Sequence, residues 1–454
     1  MKLAILGGGG FRVPLVYGAL LRDHSDRRVD AVTLHDVDPD RLAAIAHVLA
    51  QMAADSSAEV PPPRVTTTTD LDDAVRDADF VFSAIRVGGL AGRTADERVA
   101  LDLGVLGQET TGPGGLAYGL RTVPVAVEVA ERVRALAPDA WVINFTNPAG
   151  MITEAMQTVL GPRVIGICDS PIGLGRRAAR ALDLDPARTT FGYAGLNHLG
   201  WLRTLTHDGV DVLPRLLADP ERLLRTEEGR LFGPDWLATL GAIPNEYLYY
   251  YYSTREALAA ITGGGETRGE YLLGQQDGFY AEVAARPAEA YAVWQRVRQE
   301  RDASYMKESR RADEERDAAD IEGGGYEGVA LAIMGAIARN ERAAMILNVR
   351  NGTTLTGLPP DAVVEVPCTV DADGAHPLVV EPLTGHPMGL VLQVKTVERL
   401  VIEAATTGSV TRAVEAFALH PLVDSVAVGR QLLTGYRERI PEVDALFRRS
   451  ATAP

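Results

Sequence analysis

The sequence predicts an α/β fold, with a doubly wound parallel sheet in its N-terminal part and a C-terminal α+β lobe. Three observations predict it. Compact apolar runs rich in β-branched residues alternate with helical spacings up to Leu182. The first run, Lys2–Leu6, passes at once into Gly7-Gly-Gly-Gly10 and then a helix. Beyond Leu182 the alternation gives way to antiparallel strand patterns and long helices.

Residues 11–21 have helical spacing, with Pro14 tolerated in a first turn. Strand, glycine turn and helix bring backbone N–H groups to a pyrophosphate at a helix N-terminus, which is the Rossmann-like arrangement. Gly7, Gly9, Gly10 and Phe11 are the expected contacts, although Arg12 holds the third glycine position. The second strand, 31–34, ends in His35-Asp36, and Asp36 stands where a carboxylate accepts from an adenosine ribose. The alternative is a tight turn that binds no nucleotide.

Residues 38–55 predict an amphipathic helix, Pro61-Pro-Pro63 a loop and 66–70 a short strand. A buried strand over 79–85 puts Arg86 at its carboxyl end, as an anion clamp or a surface salt bridge. The glycines of 106–115 cannot pack a core and predict a loop serving a site, ahead of a helix over 117–136. A strand over 141–145 leads into Thr146-Asn-Pro-Ala-Gly150. Asn144 and Asn147 can donate and accept, as sugar hydroxyls or phosphate oxygens require; Asn-Pro alone is also an ordinary turn. Val164-Ile-Gly-Ile167 completes a count of five strands by Cys168, where a thiol and the Asp169 carboxylate stand side by side at the ligand-binding edge of such a sheet.

Residues 191–206 read as antiparallel strand around His198, and a tyrosine cluster follows Pro244. Tyrosines so grouped serve packing or, near a metal, act as bases. Residues 281–320 predict a charge-laced helix with a solvated face, and Gly323 opens a helix to Ala338. Strands are expected over 343–349, 363–366 and 378–380, and helices over 395–406 and 411–418. The domain division expected is 1–190 and 191–454.

Length and composition fit a two-lobed globular protein, with 454 residues, 46% hydrophobic and 23% charged. A net charge of −16 argues against nucleic acid and anionic membranes as partners. Two cysteines, Cys168 and Cys368, no leader-like N-terminus and no apolar window of membrane-spanning length predict a cytoplasmic protein. Cys168 and His198 could supply a thiolate and an imidazole to a divalent ion, with open positions for substrate or water.

Several motifs together resemble glycoside hydrolase family 4. They are Gly107-Gln-Glu-Thr-Thr-Gly-Pro-Gly-Gly115, Asn144-Phe-Thr-Asn-Pro148, Cys168-Asp-Ser-Pro171 and Asn197-His198, with Pro244-Asn-Glu-Tyr-Leu248, Thr267-Arg268 and Asn348-Val-Arg-Asn351. The resemblance runs from Lys2 to about Pro421. This NAD-dependent family departs from the two-carboxylate rule of glycosidases.

The resemblance implies that NAD⁺ takes hydride from C3 of the sugar. The resulting carbonyl, polarised by Mn²⁺ or another divalent metal, acidifies the C2 proton. A tyrosine removes that proton, the aglycone leaves by elimination, water adds, and the hydride returns. Carried over, Cys168 and His198 are the metal ligands and Tyr247 the base, with Tyr249 and Tyr250 as neighbouring alternatives. Asp169 protonates the leaving oxygen. Asn147 and Arg268 hold the sugar 6-phosphate, with Asn144 and Arg86 as further substrate contacts, and Arg86 also borders the NAD site. Asp169 is more familiar in α-specific members, whereas Leu120-Arg-Thr-Val-Pro124 and the segment ending at Cys368 look like the β branch. The reading favours 6-phospho-β-glucosides, in a homodimer or homotetramer. Its rivals are the α-specific enzyme, a hydroxy-acid dehydrogenase and a non-catalytic sensor on the same fold.

Overall fold

The structure, a computed structural model, describes residues 1–56, 60–303 and 325–451. Six parallel strands build the first half: β1 (Lys2–Leu6), β2 (Ala31–His35), β3 (Arg64–Thr68), β4 (Phe80–Ser83), β5 (Trp141–Asn144) and β6 (Val164–Gly166). Their spatial order, β3-β2-β1-β4-β5-β6, is that of a dinucleotide-binding sheet. The expected count of five becomes six because 64–68 pairs along its whole length with β2. Leu3 and Ile5 pack into one core, and Ala4 and Leu6 into another on the opposite face. Burial on both faces is why such strands read as unbroken apolar runs.

The sheet does not stop at β6. β7 (Thr189–Leu196), β8 (Leu199–His207), β9 (Val210–Asp211), β10 (Ile243–Pro244), β11 (Ala343–Arg350), β12 (Val363–Asp371) and β13 (Gly374–Pro377) continue it as an antiparallel extension. β11 joins β6 through the pair Asn348↔Gly166. β12 runs beside β11, where Glu365 faces Asn348, and beside β7, where Glu365 faces Gly195. One row, Gly166–Asn348–Glu365–Gly195, thus crosses from the parallel to the antiparallel half. Glycine is required at its start: a Cβ on Gly166 would lie 2.3 Å from Thr153 Oγ1 and 2.8 Å from Asn348 Cβ.

Several expectations need correction. The helix after the glycine loop spans Pro113–Leu136, so Gly114 and Gly115 belong to its first turn. There they pack closely, since a Cβ would meet Gln108 O at 2.2 Å or Thr110 O at 2.4 Å. Low bulk makes this segment packable rather than unpackable. No strand forms over 378–380, where Val379 is fully exposed; β13 ends at Pro377. Of 281–320, residues 304–320 lie outside the described part, as does Gly323. The preceding helix Ala290–Ala303 is not only a solvated face, because Val293, Trp294 and Val297 are buried in the core. Helices Gly89–Asp102, Val426–Arg439 and Pro441–Ala451 were not anticipated.

Gly166→Ala should lower the unfolding free energy by about 1–3 kcal/mol, the usual cost of forcing bulk into a packed interior. Urea denaturation followed by circular dichroism measures it; an unchanged midpoint would contradict the tight fit.

Candidate active site

The carboxyl ends of β1, β2, β4, β5 and β6 open into one cleft of about 1630 Å³. Gly7, Gly10, Phe11, Asp36 and Arg86 line it, as do Asn147, Cys168, Asp169, His198, Tyr247 and Arg268. Gly9 and Asn144 are not among the residues that line it. Asn144 is fully buried, donating from Nδ2 to Thr146 O, Ala149 O and Thr153 Oγ1, and accepting from Thr146 N. It shapes the turn that carries Asn147.

At the cofactor end the glycine turn is tightly folded. Gly7 has φ 82°, and a Cβ there would stand 2.5 Å from Ala84 O. The glycine N–H groups are spent internally: Gly7 and Gly8 donate to His35 O, Gly9 to Asp36 Oδ2 and Gly10 to Gly7 O. The glycines therefore supply close approach, and the next amides a pyrophosphate could meet are those of Phe11 and Arg12, since Val13 N–H already donates to Gly10 O. Later helices pin the turn by its carbonyls, with Tyr280 donating to Gly9 O, Trp294 to Phe11 O and Tyr326 to Arg12 O. The Phe11 ring is buried edge-on against Phe279 at 5.0 Å. Asp36 keeps carboxylate lone pairs beyond those given to Gly9 and Asp38, so a ribose hydroxyl can still be accepted.

Cys168 lies two residues past Gly166, and His198 lies in the two-residue turn between β7 and β8. The turn places His198 at φ 61°, in the left-handed region. Glu365 ties the two halves together, accepting from Asn348 (2.8 Å), Asn197 (3.2 Å) and Tyr193 (3.2 Å). Burial pushes Glu365 up to about 7 despite these donors. Burial also raises the Cys168 thiol, and Glu365, Asp169 and Glu246 add to the effect. A positive ion would reverse that balance. Burial pushes His198 down to about 3, which keeps the imidazole neutral, as a ligand must be. Its Nδ1 is 3.0 Å from Thr110 Oγ1, leaving Nε2 for a metal.

Among the described residues no group of three His, Cys, Asp or Glu side chains could enclose an ion. Cys168 and His198 thus fit an open divalent site completed by substrate or water, without selecting Mn²⁺ over other first-row ions. Tyr247 stacks face to face on His198, with centroids 3.6 Å apart and planes 7° from parallel. Tyr250 also borders the cleft but is almost wholly buried, whereas Tyr249 does not line it.

Arg12, Arg86, Arg93, Arg268 and Arg301 also reach the cleft. Arg86 is not a surface salt bridge: it donates to Glu109 at 2.9 Å, lies over Tyr118, and has a buried Nη1 without a partner. Arg268 opens the helix Arg268–Ala285, which Thr267 and Glu270 cap reciprocally. Burial, then Arg12, Arg268, Arg93 and Arg86, push Arg301 well below the usual arginine value. Asn147 donates to Phe145 O, and its buried Oδ1 has no partner.

The family 4 glycosyl hydrolase model matches residues 2–184, and the family's C-terminal domain matches 193–423. The chain belongs to glycosyl hydrolase family 4. A Bacillus subtilis probable 6-phospho-beta-glucosidase is 34% identical over 95% of both chains. An Escherichia coli 6-phospho-beta-glucosidase is 30% identical over 97% of this chain and 96% of its own. The Thermotoga maritima 6-phospho-beta glucosidase, solved with manganese, NAD⁺ and glucose-6-phosphate, superposes at TM-score 0.81 with 28% identity. That match covers 98% of this chain and 99% of the other. A 6-phospho-alpha-glucosidase from gut microorganisms, solved with NAD and Mn²⁺, gives TM-score 0.78 and 26% identity over 96% and 97% of the chains.

Within this family 4 chain, sequence reading passed over Glu365, Glu109, Arg12 and Arg301. Glu365 had a signal: a lone carboxylate inside Val363-Val-Glu-Val366 is costly unless partnered. Arg301 had none, because its helix is laced with charge throughout.

Tyr247→Phe should cut turnover about 10²–10⁴-fold, the range of general base catalysis. Tyr249→Phe should change it little. Steady-state rates of the two variants check this, and equal losses would remove Tyr247 from its role.

Proposed function

We propose that this family 4 enzyme hydrolyses 6-phospho-β-glucosides to glucose 6-phosphate and an aglycone. The observation that carries the reading is that the glycine turn with Asp36 opens into the same cleft as Cys168, His198 and Tyr247. A dinucleotide site alone fits a dehydrogenase; the thiol and imidazole beside it fit a metal-assisted reaction. The relatives support the β anomer, with 34% identity to the Bacillus subtilis β enzyme against 28% to that organism's maltose-6'-phosphate glucosidase.

Residues 1–190 would hold NAD, with Gly7, Gly10, Phe11, Asp36 and Arg86 around it, and 191–454 would complete the substrate site and oligomer contacts. Bound NAD⁺ supplies a reversible hydride acceptor, and Mn²⁺ on Cys168 and His198 supplies a Lewis acid. Tyr247 Oη takes the C2 proton, its ring plane held by the stack on His198. The Asp169 carboxyl, half-buried before the helix Ser170–Ala181, delivers a proton to the departing oxygen. Arg268 and Arg86 hold the 6-phosphate, which relieves the like-charge crowding at Arg301. Asn147 gives a phosphate oxygen its remaining Nδ2 proton and offers Oδ1 to a sugar hydroxyl.

Both cysteines are free and buried, and no helix among the described residues is long and apolar enough to cross a membrane. These facts support a cytoplasmic setting, and we place the enzyme there as a homodimer or homotetramer.

The test is release of nitrophenol from matched α- and β-nitrophenyl glucoside 6-phosphates with NAD⁺, Mn²⁺ and reductant. Release from the β anomer that stops when NAD⁺ or metal is omitted is the expected result. Release from the α anomer alone would reverse the anomer. No release, with net NADH formed on a hydroxy acid, would make the protein a dehydrogenase.

A further inference from the structure

A neutral imidazole serves a metal only through the nitrogen that carries no proton, so a ligand histidine needs its tautomer fixed from outside. For His198 the outside contact is a hydroxyl, Thr110 Oγ1, 3.0 Å from Nδ1. A hydroxyl either donates or accepts, and by itself fixes nothing.

Gln108 removes the ambiguity. Its Oε1 receives the backbone N–H groups of Thr110 and Thr111, both at 2.6 Å. Two converging N–H donors require the amide oxygen there, because the amide nitrogen would face them with its own protons. Thr110 Oγ1 lies 3.2 Å from that same oxygen. If the hydroxyl proton pointed to His198, two oxygens would face each other lone pair to lone pair across this gap. If it points to Gln108, every contact pairs a donor with an acceptor, and Thr110 Oγ1 is left to accept from His198.

We propose that Gln108 and Thr110 are positioning residues that hold the His198 proton on Nδ1 and so keep the Nε2 lone pair for the metal. The order of donation is His198 Nδ1–H to Thr110 Oγ1, then Thr110 Oγ1–H to Gln108 Oε1. Backbone amides anchor the far end, so the polarity set in the Gly107–Gly112 loop is read out at the hairpin turn. Thr110→Val removes both acceptor and donor. Gln108→Leu removes the anchor and frees the hydroxyl to turn around. Thr110→Ser keeps the relay.

The inference rests on His198 being a metal ligand, and the experiment separates the two. Free Mn²⁺ is counted by electron paramagnetic resonance during titration of the NAD⁺-loaded full chain, for wild type, the three variants and His198→Ala. NAD⁺ affinity is measured alongside to report on the fold. Thr110→Val and Gln108→Leu should weaken Mn²⁺ binding about 10–100-fold, as outer contacts to ligand histidines do, with Thr110→Ser close to wild type. Wild-type Mn²⁺ affinity in Thr110→Val, with binding lost in His198→Ala, would overturn the relay and leave the ligand. Unchanged affinity in His198→Ala would overturn both. A readout independent of variant folding is the nitrogen-15 imidazole spectrum of the metal-free wild-type chain. A His198 proton on Nδ1 is the expected state, and a proton on Nε2 would overturn the proposal.

Discussion

A single row of strand partners holds the site together. Gly166 meets Asn348, Asn348 meets Glu365, and Glu365 meets Gly195. Each end carries one candidate ligand just beyond it, Cys168 on the parallel side and His198 on the antiparallel side. The row is thin at both junctions, so side chains reinforce it. Glu365 accepts hydrogen bonds from Asn348, Asn197 and Tyr193, joining β11, the hairpin turn and β7 through one buried carboxyl group. Burying such a group is costly, and three donors offset that cost while fixing geometry.

Charge is sorted along the cleft. Carboxyl groups of Glu365, Asp169 and Glu246 surround the thiol, and burial pushes Glu246 up to about 7. Arg12, Arg86, Arg93 and Arg268 crowd Arg301 with like charge, and Glu109 is held between Arg86 and Arg93. A cation is favoured beside the thiol and an anion beside Arg301, and in the proposed reaction a glucoside phosphate would meet both.

Most strands of the first half were legible because both faces of the sheet are buried and such strands read as apolar runs; the polar strand 64–68 is the exception. The thiol, the imidazole and nine further candidates named from motif and resemblance all line one cleft. What failed has physical causes. Gly114 and Gly115 read as loop because glycine's role in close backbone approach leaves no apolar signal. Asn144 read as a ligand because its amide is chemically suited to one, while its hydrogen bonds go to Thr146, Ala149 and Thr153 in the turn and helix that follow it. The spent glycine amides depend on His35 O and Asp36, partners that composition does not reveal. The Gln108–Thr110–His198 contact joins segments 88 residues apart, beyond any periodicity.

In the proposed reaction the glucoside is cleaved by proton removal at C2 rather than by direct displacement at C1. The most direct measurement is the isotopic content of glucose 6-phosphate formed in D₂O. Proton removal at C2 leaves deuterium at C2 of the product, delivered when solvent restores that position. Product carrying only protium at C2, at full turnover, would contradict it.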